Sequence, residues 1–173
     1  FDTHQKVSEI ILVLNDERQK KRYLRRYKKI SAVVKGGKRR QDSVFCGLSR
    51  VDPNKADIVL VHDGVRPLVD KDLIERVIDA VCHKGAAIPA IPVEDTVKIV
   101  ENRRVKKTLD RKNICRVQTP QGFLYKTLKA AMDKARRENF YGTDEASLVE
   151  RTGKKIHIVP GDAKNIKITT PQD

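Results

Sequence analysis

Five short apolar runs punctuate the chain: IILVL (10–14), SAVV (31–34), DIVLV (57–61), AAIPAIPV (86–93) and IHIV (156–159). Each has the length of one buried strand. Amphipathic stretches separate them. Over Asp70–Lys84, residues Leu73, Ile74, Val77, Ile78, Val81 and Cys82 recur at helical spacing, with Asp70 placed to cap the helix and Gly85 to stop it. A second helix is expected over about 124–138, with Leu128, Ala131, Met132 and Ala135 on one face. Strands that are apolar at nearly every position are covered on both faces. Their alternation with helices predicts an α/β fold, doubly wound about a mostly parallel, twisted sheet. No repeat or linker divides the sequence, and residues 1–173 read as one domain.

One segment breaks the alternation. TVKIVENRRVKKTL (96–109) reads as two short strands around the polar turn Glu101-Asn102-Arg103-Arg104. It is an inserted hairpin, a β-arm of about residues 94–112, of the kind that serves dimerisation or covers a site. The chain opens at Phe1 and stops at Pro171-Gln172-Asp173, where a helix could begin, so it is expected to be part of a longer protein, incomplete at both ends.

Charge narrows the function classes. With 37 Lys+Arg against 23 Asp+Glu, the net charge is +14 and the pI about 9.8, which points to a polyanionic partner without naming it. The run KKRYLRRYKK (20–29) raises the alternative of a nucleic-acid-binding module. No RNA- or DNA-binding motif accompanies it, and 5% aromatic residues offer few stacking platforms, so a solvated helix is the better reading and no nucleic-acid partner is expected. No apolar stretch approaches the length of a membrane span, and no membrane partner is expected. Cys46, Cys82 and Cys115 are scattered and odd in number, which suits reduced thiols in a cytoplasmic protein.

In open α/β sheets ligands bind beyond the carboxyl ends of the strands, and the polar, glycine-containing stretches fall there. After SAVV comes Gly36-Gly37-Lys38-Arg39-Arg40-Gln41-Asp42-Ser43, leading into a helix. Glycines admit an anion to the backbone, the helix start offers free N–H groups, and the basic residues and Ser43 add charge and a hydroxyl. After DIVLV comes His62-Asp63-Gly64-Val65-Arg66-Pro67. An Asp just past a buried strand suits a Mg²⁺ ligand, and Arg66 could grip a phosphate; a capping Asp paired with Arg66 is the structural alternative. Thr143-Asp144-Glu145 looks like a helix start, with Thr143 as N-cap and the two acids as first-turn residues. In Asn165-Ile166-Lys167-Ile168, a lysine inside an apolar β run would be costly without an anion, which singles out Lys167.

Seven motifs, GGKRRQDSV, VLVHDGVRPLV, AAIPAIPVEDTVK, TLDR, QTPQGF, TDEASLVE and NIKITTPQD, occur in the order and spacing of the 2-C-methyl-D-erythritol 4-phosphate cytidylyltransferases, which the chain resembles from Ile10 onward. The resemblance implies a Rossmann-like nucleotidyltransferase fold, a homodimer joined through the β-arms, and CMP transfer from CTP to 2-C-methyl-D-erythritol 4-phosphate, with Mg²⁺ and release of pyrophosphate, in non-mevalonate isoprenoid biosynthesis. By motif it implies that Gly37, Lys38, Arg40 and Ser43 contact cytidine and ribose. It places Asp63, the metal ligand, and Gly64 on the nucleotide side. Arg66, Thr119, Thr143 and Lys167 fall near the sugar phosphate or the reacting phosphates, and Thr96 and Arg111 reach the partner subunit's site. Lys167, Arg111 and Thr96 are the expected catalytic residues. Two parts of the family pattern have no counterpart: the Gly-rich loop whose Arg and Lys clamp the triphosphate, and the closing C-terminal helix. These residues alone are therefore expected to bind CTP poorly and turn over little. Transfer to another polyol phosphate, such as ribitol 5-phosphate, shares most of the motifs and stands as the alternative activity; a non-catalytic fragment is a third.

Overall fold

The structure is a computed structural model that describes residues 1–16, 18 and 20–173. Its elements run β1 (Ile10–Leu14), α1 (Lys20–Arg26), β2 (Ile30–Lys35), α2 (Arg40–Leu48), β3 (Ile58–Val61), α3 (Lys71–Lys84) and β4 (Ala86–Pro92). The hairpin strands β5 (Lys98–Glu101) and β6 (Arg104–Thr108) follow, then β7 (Cys115–Val117), β8 (Gln121–Leu124), α4 (Tyr125–Arg137), α5 (Glu145–Glu150) and β9 (His157–Pro160). All five apolar runs become strands.

The predicted helix ends hold at α3. The Asp70 carboxylate accepts the Leu73 N–H, and Gly85 closes the helix at φ +83°, a left-handed conformation that glycine adopts at little cost. Leu73, Ile74, Val77, Ile78 and Val81 are buried along one stripe. At α5 the expectation fails by one residue: Asp144, not Thr143, is the N-cap, accepting from the Ser147 N–H at 2.9 Å, and Thr143 is exposed.

The sheet departs from the mostly parallel expectation. β1 and β2 pair in parallel as a two-stranded sheet of their own; in the five-stranded sheet β9 is parallel to β4, but β8 lies antiparallel between β3 and β4, and β7 is antiparallel to β4. The strands joined by the α3 crossover still point the same way. β8 is four residues long and begins with Gln121-Gly122, so it shows no apolar run; it lies antiparallel between β3 and β4, which run parallel to each other.

Strand β3 shows why these runs are apolar throughout. Ile58 and Leu60 pack with Val77, Val81 and Ala87 on the α3 side, whereas Val59 and Val61 pack with Phe123, Leu128, Met132 and Leu148 on the side of α2, α4 and α5. Gly122 lies where α3 crosses β8. A Cβ there would stand 2.7 Å from Val77 Cγ1 and Val81 Cγ2 and 3.0 Å from Leu60 Cδ2, so the helix sits on this strand only because the side chain is missing. The hairpin β5–β6 projects with Ile99, Val100 and Val105 exposed, and Asn102 and Arg103 both take positive φ, as a type I′ turn requires. Among the described residues no helix is long and apolar enough to cross a membrane.

Gly122→Ala should lower the unfolding free energy by about 1–3 kcal/mol through overpacking, read from the urea midpoint. An unchanged midpoint would contradict the account of how α3 meets the sheet.

Candidate active site

Asp63 stands two residues beyond the end of β3, and its carboxylate is shared between two cations. Arg40 Nε, from the first residue of α2, donates to Oδ1 at 2.9 Å, and Lys167 Nζ lies 3.0 Å from Oδ2. Arg40 also donates Nη1 to both oxygens of Glu145, at 2.8 and 2.9 Å. The charges therefore alternate along Glu145, Arg40, Asp63 and Lys167. The two ends differ: the Glu145 side chain is 1% exposed and that of Lys167 is 42% exposed.

The pKa shifts follow. Burial raises the Asp63 carboxyl, but the charges and hydrogen bonds of Arg40 and Lys167 outweigh it and hold the pKa below the ordinary 3.8. Burial raises the Glu145 carboxyl above its usual value, and Arg40 offsets only part of that effect. Burial likewise lowers the His62 pKa.

A second network places the Asp63 backbone. The Asp63 N–H donates to Thr119 Oγ1 at 3.1 Å, and Thr119 Oγ1 lies 3.0 Å from His62 Nδ1. His62 Nε2 faces the Arg66 carbonyl at 3.1 Å, an acceptor, which assigns the ring proton to Nε2 and leaves Nδ1 to accept the Thr119 hydroxyl. Lys167 is held in turn by the segment before it. Gln118 Nε2 donates to the carbonyls of Asp162 and Asn165, the Asp162 N–H donates to Gln118 Oε1, and fully buried Asn165 donates Nδ2 to the Thr119 carbonyl. Arg66 Nη1 donates to the Asn165 carbonyl at 2.7 Å.

Beside Arg40, a cleft between the starts of α2 and α5 is lined by Arg40, Gln41, Tyr141, Thr143 and Glu145. The helix starts are tied together by Gln41, which accepts the Gly142 N–H and donates to the Phe140 carbonyl. A one-carboxylate site at Asp63 fits Mg²⁺, which is commonly held by one or two carboxylates and by substrate phosphates. No group of three His, Cys, Asp or Glu side chains is gathered among the described residues, so phosphate oxygens would have to complete the coordination.

The family model for "IspD: 2-C-methyl-D-erythritol 4-phosphate cytidylyltransferase" matches residues 1–173. The chain belongs to this family. The enzyme of that name from Shouchella clausii is 47% identical over 145 residues, covering 84% of this chain and 62% of the relative, and that from Bacillus pumilus is 43% identical over 180 residues, covering 100% and 77%. The chain thus spans about three-fifths of the first and three-quarters of the second. Among solved structures, 4-diphosphocytidyl-2C-methyl-D-erythritol synthase from Anaerococcus prevotii superposes with a TM-score of 0.89 at 36% identity, over 98% of this chain and 77% of that one. The likeness extends over nearly the whole of this chain.

The predicted residues separate into groups within this family framework. Arg40, Asp63, Thr119 and Lys167 come together, and Thr143 shares the cleft with Arg40. Gly37 and Ser43 form the turn into α2: the Gly37 N–H donates to Ser43 Oγ at 3.1 Å, and a Cβ on Gly37 would collide with Asp42. Lys38 is exposed beside them, and Gly64 is exposed with nothing near the place of a Cβ. Arg66 Nη1 donates to the Asn165 carbonyl and so ties the loop that carries Lys167 to the segment after β3. Thr96 and Arg111 are exposed at the base of the arm, where Arg111 Nη1 donates to the Glu94 carbonyl; no hydrogen bond or ion pair joins them to Asp63 among the described residues. Lys167 is not in a buried strand: residues 165–171 are irregular, with Ile166 and Ile168 at 40% and 42% exposed. The lysine finds its anion all the same.

Sequence reasoning missed Glu145, His62 and Asn165 as parts of this centre. Glu145 carried a usable sign, since it lies three and four residues before Leu148 and Val149 and hence on the buried stripe of α5.

A group with a depressed folded pKa contributes stability above its unfolded pKa and loses it as pH falls through the folded value. Asp63 should therefore contribute its full stabilisation above about pH 3.8 and lose it progressively as the pH falls through its lower folded pKa. Urea midpoints between pH 6 and pH 2 should show a shallower acid loss for Asp63→Asn than for the unsubstituted protein; parallel curves would remove Asp63 from the ion-pair centre.

Proposed function

We propose that the protein transfers CMP from CTP to 2-C-methyl-D-erythritol 4-phosphate and releases pyrophosphate, as the names of its relatives describe. The observation that carries this reading is the carboxylate of Asp63 at the end of β3, bracketed by Arg40 and Lys167 in a chain of this family. An oxygen of the sugar phosphate forms a bond to the α-phosphorus of CTP, and the bond from that phosphorus to the bridging oxygen breaks, the electron pair leaving on pyrophosphate. Such transfers depend on positioning and charge neutralisation rather than on covalent help from the protein.

The residues divide that work. Arg40 keeps Asp63 Oδ1 occupied, and Lys167, half exposed and held through one contact, can swing from Oδ2 to the phosphates and neutralise charge as it develops. Asp63 Oδ2, so vacated, and the phosphates would hold Mg²⁺. When bound, Mg²⁺ screens the triphosphate and its leaving group. The turn at Gly37, Lys38 and Ser43 offers backbone and cationic groups to the nucleotide, and Gly64 leaves open space beside Asp63. Thr143 faces the cleft where the sugar phosphate would lie.

We also assign the arm to a homodimer contact, supported by the exposed Ile99, Val100 and Val105 on a projecting hairpin, with Thr96 and Arg111 at its base directed to the partner's substrate. Free thiols at Cys46, Cys82 and Cys115 support a cytoplasmic setting.

The test is turnover of CTP with methylerythritol phosphate and, in parallel, ribitol 5-phosphate by the full-length protein. CMP transfer to the first alone supports the proposal; transfer to the second alone, or retention of RNA without transfer, overturns it. Lys167→Ala should lower kcat by about 10²–10³-fold with an unchanged circular-dichroism spectrum. A folded variant with near-normal kcat would take that role from Lys167.

A further inference from the structure

Glu145 is a first-turn residue of a short helix, and capping needs nothing more of it. Asp144 already caps that helix. Yet the Glu145 side chain is 1% exposed and spends both oxygens on one guanidinium nitrogen of Arg40. A buried carboxylate is costly unless paired, and a leucine or glutamine in its place would fill the stripe with Leu148 and Val149 at lower cost. The pairing is therefore better explained by what it does to Arg40.

The mounting of Glu145 supports this. Gln121, itself 1% exposed, donates Nε2 to Asp144 Oδ2 at 2.8 Å and accepts the Ala146 N–H at 3.1 Å, gripping the residues on either side of Glu145. Gln41, the neighbour of Arg40, binds both Phe140 and Gly142 on the approach to the same turn. The α5 start is thus fixed from the sheet and from α2, and both fixings bear on the distance between Glu145 and Arg40.

We propose that Glu145 is a positioning residue, which holds the Arg40 guanidinium so that Nε stays on Asp63 Oδ1 and leaves Oδ2 as the exchangeable oxygen of the site. Without the carboxylate, Arg40 is a cation with one anchor, as mobile as Lys167, and either side chain can occupy either oxygen. The inference rests on the proposed CMP transfer for its kinetic consequence but not for its geometry.

The experiment is a double-mutant cycle in the full-length protein with Glu145→Gln and Arg40→Lys, since a lysine lacks the planar fork whose Nε and Nη1 meet Asp63 and Glu145 separately. Glu145→Gln should lower kcat/KM for CTP by about 10–100-fold, as breaking the support of a charge-stabilising group does. In the Arg40→Lys background the same change should cost less than about twofold, because the group it positions is gone. A loss of equal size in both backgrounds would show that Glu145 only packs α5 and would overturn the proposal. The Arg40 Nε–H nuclear magnetic resonance signal, assigned by its absence in Arg40→Lys, should exchange slowly with solvent in the unsubstituted protein and fast in Glu145→Gln; slow exchange in both would also overturn it. Should Glu145→Gln not fold, Glu145→Asp keeps the charge and shortens its reach, and the same two outcomes apply. Absence of turnover by the unsubstituted protein would sink the CMP-transfer reading by itself, while the exchange measurement still decides the geometry.

Discussion

The carboxylate of Asp63 is the constraint around which the centre is built. A single anion at the end of a buried strand is bound by two cations from distant parts of the chain, Arg40 from the start of α2 and Lys167 from the segment after β9. Neither pair would persist as a lone surface salt bridge, since exposed pairs contribute little. Here the carboxylate is largely buried, the arginine is tied at its far side to Glu145, and the lysine-bearing loop is tied through Asn165 to Thr119. Asp63 thereby joins three otherwise separate regions.

The layers of the fold serve that junction. Helix α3 covers one face of the sheet and carries no group of the centre, whereas α2 and α5 on the other face deliver Arg40 and Glu145 to the ends of the strands. Strand β8 brings Gln121 under the α5 start, and the residues just before it bring Gln118 and Thr119 under Asp63 and the Lys167 segment. An antiparallel strand in this place does something a parallel one would not. It presents its N-terminal end at the edge where the other strands end, so the Gln118–Gln121 stretch can bind three loops at once.

Much of this was legible from residue order alone, for reasons that differ from element to element. Helix α3 could be bounded at both ends because its cap and stop act locally, through Asp70 and Gly85. The runs of β3 and β4 could be read as strands because side chains on both faces pack against helices, whereas β9 alternates, with Ile158 61% exposed. Strand β8 could not, since its Gln121 is a buried polar residue whose partners, Asp144 and Ala146, lie more than twenty residues away. Lys167 was singled out by its apolar neighbours, yet those neighbours are half exposed; what marks the lysine is the carboxylate of Asp63, which no local pattern contains. Arg66 adds a contact that local pattern likewise does not contain, from Nη1 to the Asn165 carbonyl 99 residues away. Long-range pairing, not composition, decides which cations of so basic a chain matter.

The central claim is that one oxygen of Asp63 is permanently held and the other is released to the reacting groups. A crystal structure of the full-length protein with CTP and Mg²⁺ tests it most directly. The account predicts Arg40 still on Oδ1 and on Glu145, with the Lys167 ammonium moved from Oδ2 to a phosphate oxygen. A structure in which Arg40 leaves Asp63, or in which Lys167 remains on it while the nucleotide is bound, would contradict the account.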